Sequence, residues 1–127
     1  QATQETEKHM TTKGIEGVLV ETHNWGKAVA FWKSLGYVLE LETDHNSGRL
    51  VHPAGGPWIF VAERPPQQEL KIVLGFNTES AKGFEPPTSG KVQQPFEKTH
   101  WGTLQMLLAD PDGRDVSVEA PLAEKDR

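Results

Sequence analysis

The sequence predicts an α+β fold made of two related halves. The first half shows strand and helix patterns in the order β-α-β-β-β. The second half looks like a worn copy of the first, because the turn "DPDGRDVSV" can be laid over "HPAGGPWIF" without a gap. The overlay places Asp110, Pro111 and Gly113 on His52, Pro53 and Gly55.

The first module begins with a strand that leads into an amphipathic helix. Residues 15–22, "IEGVLVET", are rich in β-branched side chains, and Asn24 is a good N-cap for the helix that follows. Gly36 is expected to end the helix, because glycine adopts the left-handed backbone conformation without steric cost. Between these two ends, apolar side chains recur at helical spacing at Ala28, Phe31, Trp32 and Leu35.

Three more strands complete the first module. The segments "YVLELE" and "PWIFVAE" alternate in the strand period, and "RLVH" is a short strand between them. The stretch "RPPQQE" at 64–69 is predicted to be a linker, because its two prolines cannot donate hydrogen bonds to a sheet.

The second module carries a reduced helix in this interpretation. "LKIVLGF" is a strand, and the region from Asn77 to Phe96 is loop-rich, with at most a short helix around Ser80 to Gly83. "THWGTLQMLLA" and "DVSVEA" are strands on either side of the turn "DPDG".

The length of 127 residues fits one domain with a single core. We expect that domain to span residues 14–127, with modules at about 14–63 and 70–121. Residues 1–13 are expected to be a disordered or tag-derived tail. The reason is that "QATQETEKH" is polar and aperiodic, and Met10 is typical of a natural start.

Composition excludes several classes of function. The formal charge is −5 and the basic residues are scattered, which disfavours nucleic-acid binding. No apolar run approaches the roughly 20 residues that cross a bilayer, so we expect no membrane role. The chain has no cysteine, which excludes disulfides and thiolate metal sites. Mild acidity is common in small cytosolic proteins, and we expect a cytoplasmic protein.

Two segments carry a family resemblance. "THNWGKAVAFWKSLGY" resembles the first signature of the vicinal oxygen chelate superfamily, which includes glyoxalase I, bleomycin-resistance and extradiol-dioxygenase proteins. "ADPDGRDVSVEAP" resembles its closing signature, and the two bracket the chain from Ile15 to Pro121. The resemblance implies two βαβββ modules whose strands form an open half-barrel cleft, commonly completed by a second subunit.

Catalytic members of that superfamily usually hold a divalent metal with His and Glu side chains. None of the corresponding residues in this chain is a plausible ligand. These positions are Gly17, Ile59, Leu70 or Lys71, and Ser117. Glu119 lies two residues beyond Ser117 and shares its strand face, but it would lack partners. The sequence therefore predicts no metal and no cofactor.

The histidines do not supply an alternative metal site. One lies in the tail, and the others fall at loop or strand ends without a shared spacing that would gather two on one face. We interpret His23, His45, His52 and His100 as surface or turn residues.

Strand parity indicates which side chains face the cleft. If Val18 and Val20 pack against the helix, Leu19 and Glu21 face the cleft. The same reasoning selects Ser117, Glu119 and Ile59, and Gln105 is a neutral hydrogen-bonding anchor. Trp25 and Trp101, beside turns, are the candidates for stacking on a ligand, whereas Phe31, Trp32, Trp58 and Phe60 are expected in the core. The candidate ligand-binding set is Leu19, Glu21, Trp25, Ile59, Trp101, Gln105, Ser117 and Glu119.

A cleft without a metal predicts a non-catalytic protein that sequesters an antibiotic or toxic metabolite, like the resistance members of the superfamily. Two alternatives stay open. One is a lyase, isomerase or dioxygenase, with misregistered metal ligands or with acid-base catalysis by Glu21 or Glu119. The other is a scaffold domain recognised by a protein partner. We also expect a homodimer, because a two-fold partner would cover sheet edges and an apolar groove.

Overall fold

The computed structural model describes residues 11–122. These residues form one α-helix and eight β-strands, which confirms the α+β fold class. The described chain divides into a first unit of residues 16–74 and a second unit of residues 75–122 together with 11–15. Residues 1–10, which include most of the predicted tail, and residues 123–127 lie outside the described part. No helix within residues 11–122 has the length and apolar character needed to cross a lipid bilayer.

The first unit follows the predicted order of elements. They are β1 (Ile15–Thr22), α1 (Trp25–Ser34), β2 (Val38–Glu42), β3 (Ser47–Val51) and β4 (Trp58–Glu63). The strands are hydrogen-bonded in the order β2-β3-β4-β1, in which β1 and β4 are parallel and the other pairs are antiparallel. The proline-containing stretch at 64–69 lies outside the helix and strands, as predicted.

The predicted ends of α1 are confirmed. The Asn24 side chain accepts a hydrogen bond from the Lys27 backbone N–H at 3.0 Å, which is the N-cap interaction. Gly36 has a φ of +100°, as a left-handed residue beyond the helix end requires. Glu63 adds a further cap, because its Oε2 accepts the backbone N–H of Trp25 at 2.9 Å. This hydrogen bond, with a second from the Asn46 side chain, lowers the pKa of Glu63.

The helix covers one face of the first unit's strands. Val29 of α1 is buried in a cluster with Leu50, Ile59 and Val61, of which Leu50 and Val61 are completely inaccessible to solvent. Trp32 packs against this cluster, as predicted. The prediction for Phe31 was wrong: its side chain is 55% exposed, because it projects from the outer side of the helix.

The second unit has strands and turns but no helix among its described residues. Its strands are β5 (Ile72–Asn77), β6 (Lys91–Lys98), β7 (Thr103–Ala109) and β8 (Asp115–Pro121), in the hydrogen-bonded order β5-β8-β7-β6. The first residues of β5 belong to the first unit, since the boundary follows Leu74. The reduced helix expected around Ser80 to Gly83 is replaced by turns.

Strand β6 was missed, because the sequence predicted a loop as far as Phe96. Its composition is polar, and Pro95 has no N–H to donate to a ladder. The strand is last in the hydrogen-bonded order, and its pairing with β7 shifts register on both sides of Gln94. An edge position with bulges tolerates a proline that a central strand would not.

Phenylalanine side chains pack against the core of the second unit, as the helix packs against the core of the first. Phe84, from the segment between β5 and β6, is buried with Met106, Leu108 and Val118. Its ring meets that of Phe96 edge to face, with 6.0 Å between ring centroids.

Candidate ligand-binding faces

The face of the first unit opposite α1 is aromatic and carries one guanidinium. Residues paired directly across neighbouring strands share a face, and the register pairs Arg49 with Phe60, Leu19 with Phe60, and Gly17 with Trp58. Four of the side chains on this face, Leu19, Arg49, Trp58 and Phe60, are half-buried. The sequence placed Trp58 and Phe60 in the core, but they lie on the face that the helix does not cover. Leu19 lies where strand parity predicted.

The indole of Trp58 lies over Gly17, the position at which the sequence resemblance would place a metal-binding histidine. Gly17 is buried, and a Cβ built on it would overlap the Cδ2, Cε2 and Cε3 atoms of the indole. No side chain of any kind fits at residue 17 unless Trp58 moves. A glycine is required here by the close approach of a ring.

Glu21 shares a face with Leu19, as predicted, but its carboxylate is already bound on both sides. Arg64 Nε donates to Oε2 at 2.8 Å, and the Lys71 backbone N–H donates to Oε1 at 2.9 Å. The Glu21 side chain is only 7% exposed. These contacts tie the end of β1 to the residues before β5, which is a structural role.

Two members of the predicted ligand-binding set belong to the core of the first unit. Ile59 pairs with Val18 in parallel register and packs beneath α1 beside Val29. Trp25 packs against the same cluster, and its ring lies 3.0 Å from where a Cβ of Gly48 would be. Ile59 therefore faces the helix and not the opposite face, and the Trp25 ring is partly buried against the same cluster. Ligand binding by these two residues stays a prediction.

The error for Ile59 comes from one extra residue after the turn. β4 begins three residues after Gly55, whereas β8 begins two residues after Gly113. Because side chains alternate between faces, a shift of one residue exchanges the faces. Counted from the strand starts, the residue of the first unit that matches Ser117 is Phe60. The extra residue is Gly56, which has a φ of +97°.

The second unit brings its four predicted residues together. β7 and β8 pair Gln105 with Glu119 and Leu107 with Ser117, on the face opposite the buried Met106. Trp101 Nε1 donates to Glu119 Oε2 at 3.1 Å, and Gln105 Nε2 lies 3.5 Å from the same oxygen. Ser117 is half-buried on this face.

Trp101 presents an exposed ring in a defined position. Its side chain is 53% exposed, and its N–H is fixed by Glu119. The His100 ring meets it edge to face, with 4.9 Å between centroids. A half-exposed indole whose N–H is held by a hydrogen bond offers a stacking surface with little conformational entropy left to lose.

The residues present do not fit the metal that the superfamily implies for its catalytic members. Within residues 11–122, no three His, Asp or Glu side chains lie close enough together to hold an ion. Position 17 is filled by an indole, and position 59 lies in an apolar core. Each histidine of this range contacts a different part of the protein. His23 contacts the Gln68 carbonyl, and His45 contacts the Asp44 carboxylate. His52 contacts the Tyr37 ring, and His100 contacts the Trp101 ring.

The acidic turn "DPDG" is explained by its own hydrogen bonds. Asp110 Oδ1 accepts the backbone N–H groups of Asp112 at 2.9 Å and Arg114 at 2.8 Å, and Oδ2 accepts from the Arg114 guanidinium. These donors, the Arg114 backbone first, lower the pKa of Asp110. The carboxylate shapes the hairpin.

Comparison with known proteins shows a shared fold. No family model and no curated protein sequence matches the chain. The structure is similar to an NAD-dependent benzaldehyde dehydrogenase from Legionella pneumophila, with a TM-score of 0.61 and 16% identity over 83% of this chain and 97% of that one. A glyoxalase/bleomycin resistance protein/dioxygenase superfamily member from Vibrio splendidus matches with a TM-score of 0.60 and 12% identity, over 82% of this chain and 96% of that one.

A 2,3-dioxygenase from Pseudomonas gives a TM-score of 0.59 at 14% identity, with 88% of this chain matching 43% of that longer one. The β-α-β-β-β order of the first unit, followed by a second four-stranded half, agrees with the two modules that the resemblance of the two signatures implied. The chain shares its fold with these solved structures, among them a glyoxalase/bleomycin resistance protein/dioxygenase superfamily member.

Proposed function

We propose that this chain is a non-catalytic binding protein that confers self-resistance by sequestering an antibiotic or toxic natural product. The observation that carries the proposal is the indole of Trp58 lying over Gly17. Where a catalytic relative would present a metal ligand, this chain presents aromatic surface. Aromatic surface with a few polar anchors is what binding of a flat organic molecule needs.

The hydrogen bonds of Glu21 and Glu119 also favour a binding function over acid-base catalysis by these two carboxylates. Both oxygens of Glu21 accept hydrogen bonds, and Glu119 accepts the indole N–H of Trp101. A general base must be able to reach a substrate proton. Glu21 would have to leave Arg64 and the Lys71 backbone to do so.

Sequestration acts by mass action, so no turnover is required. The ligands we propose are bleomycin-like glycopeptides, mitomycin-like quinones or enediynes, bound by stacking on Trp101 and by hydrogen bonds from the Gln105 and Ser117 side chains. We further propose that the protein acts in the cytoplasm as a homodimer, with the ligand in a cleft to which both copies contribute.

A thermal-shift screen against DNA-damaging natural products tests the proposal. A ligand at a hundredfold excess over its dissociation constant should add about 2.7 kcal/mol of stability. Mass spectrometry of the ligand recovered after denaturation should then return it unchanged. A chemically altered ligand, or a stoichiometric transition metal whose chelation destabilises the fold, would favour the enzyme instead. Native mass spectrometry should show a homodimer, and a heteromeric complex would favour the scaffold.

A further inference from the structure

Trp58 is fixed on one side by the first unit's own backbone. Its six-membered ring lies on Gly17, where a Cβ would overlap three ring atoms. The guanidinium carbon of Arg49 lies over the same indole, 6.0 Å from the ring centroid. That distance is at the outer limit of a cation–π contact, so the contact is a weak one.

Arg49 is itself oriented. Its Nε donates to Glu40 Oε1 at 2.8 Å, which fixes the plane of the guanidinium. Within residues 11–122, its two terminal nitrogens have no protein hydrogen-bond partner, and the side chain is 39% exposed. A guanidinium held at Nε presents Nη1 and Nη2 as a parallel pair of donors, which matches the two oxygens of a carboxylate.

We propose that this pair recognises a planar aromatic acid. The ring of the ligand lies against Trp58, and its carboxylate accepts two hydrogen bonds from Nη1 and Nη2 of Arg49. Phe60, directly opposite Arg49 in the β3–β4 register, gives the ring a second apolar neighbour. This inference rests on the proposed binding function, to which it adds a second contact surface, on the first unit, with its own ligand chemistry.

The charge balance makes this recognition short-ranged. A chain of net charge −5 does not attract an anion from a distance, so the acid must be recognised by direct contact. The Arg49–Glu40 pair engages Nε alone, and it leaves the other guanidinium nitrogens to exchange between water and ligand. Arg49 and Trp58 are both positioned before the ligand binds, which reduces the conformational entropy lost on binding.

Titration calorimetry with two matched probes tests the inference. Naphthalene-2-carboxylate and naphthalene-2-carboxamide share a ring and differ in charge. The full-length protein should bind the acid about tenfold more tightly than the amide, as a charge-assisted bidentate contact predicts. Arg49→Gln should remove that preference and leave binding of the amide unchanged, and Arg49→Lys should restore only part of it. Arg114→Gln is the control, because Arg114 is an exposed arginine of the second unit that also pairs with a carboxylate.

Trp58→Phe should weaken both probes together, since it shrinks the ring and keeps the charge. Equal affinity for acid and amide, or an Arg49→Gln protein that behaves like Arg114→Gln, would overturn the inference. Failure of both probes to bind would overturn it as well. In each of these cases the sequestration proposal is judged separately, by whether natural products still stabilise the protein in the thermal-shift screen.

Discussion

The two units contain the same turn and then diverge. In each turn a glycine N–H donates at 2.9 Å to the carbonyl three residues earlier, Gly55 to His52 and Gly113 to Asp110. In each, the side chain of the first residue also accepts the backbone N–H two residues on. His52 Nδ1 accepts from Ala54 at 3.1 Å, as Asp110 does from Asp112. An imidazole and a carboxylate thus stabilise the same turn, because the turn needs only a hydrogen-bond acceptor at its first residue.

The strands after these turns and the layer that covers them are different. One added glycine exchanges the faces of β4 relative to β8, and a helix in one unit is replaced by two phenylalanines in the other. The second unit also has an open surface pocket of about 190 Å³, which is lined by Phe76, Pro87, Leu108 and Val116 among others. Local turn chemistry can therefore persist while different side chains form the packing around it.

The largest expected effect tests that difference in packing. Leu50→Ala in the first unit should cost about 3–5 kcal/mol, because Leu50 is completely buried under the helix. Leu108→Ala should cost about 2–3 kcal/mol, because Leu108 is slightly less buried and borders an open pocket, so its surroundings can relax more easily. Urea unfolding of both variants measures the two values. Equal losses would contradict this difference between the two sites.

The next effect tests the close approach at Gly17. Gly17→His should destabilise the protein by about 1–3 kcal/mol, because the imidazole would overlap the Trp58 ring. In Gly17→His with Trp58→Ala, the two costs should sum to more than the double variant loses, since the overlap is relieved. Thermal unfolding of the four proteins gives the coupling. Strict additivity would mean that the two positions are independent.

Ligand binding distinguishes the aromatic surfaces of the two units. Trp101→Ala should weaken a natural-product hit by about 0.5–1.5 kcal/mol, the range for a lost aromatic pair. Trp101→Phe should retain much of the affinity, although it loses the N–H bond to Glu119. Trp25→Phe is the control, because that ring packs in the core of the first unit. If Trp25→Phe weakened binding more than Trp101→Ala, the stacking assignment would fail.

The smallest expected effect is on the stability of the fold at acidic pH. The pKa values of Glu63 and Asp110 are lowered in the folded state from 4.5 and 3.8, so the folded protein binds these protons less tightly than the unfolded chain. Their stabilisation is present above those ordinary values and is lost as the pH falls through the folded pKa. Glu63→Gln and Asp110→Asn should each flatten the fall of stability below about pH 4.5. Urea midpoints between pH 2.5 and 6 measure this, and unchanged slopes would contradict it.

Local signals predicted the first module well. Asn24 and Gly36 marked both ends of α1, since capping and left-handed residues act through their own backbone. Strand parity placed Leu19, Ser117 and Glu119 on the faces opposite the cores. The same parity failed at Ile59, because Gly56 adds a residue whose effect appears only once the strand starts are known.

The remaining errors share a physical cause, which is that the partner of a side chain lies elsewhere in the sequence. Trp25 beside a turn suggested an accessible ring, but Gly48 on β3 leaves room for it in the core. β6 was missed because Pro95 argues against a strand, while its edge position permits one. Arg49 had no motif, and only the register of β3 with β4 puts it beside Trp58.

The indole seated on Gly17 also limits how this chain could change its chemistry. A histidine acquired at position 17 meets the ring, and a smaller residue acquired first at position 58 leaves a hole above bare backbone. Either substitution made first is therefore expected to destabilise the protein. A change to metal binding at position 17 would need both substitutions together, or a duplicated gene whose product can lose stability without loss of function.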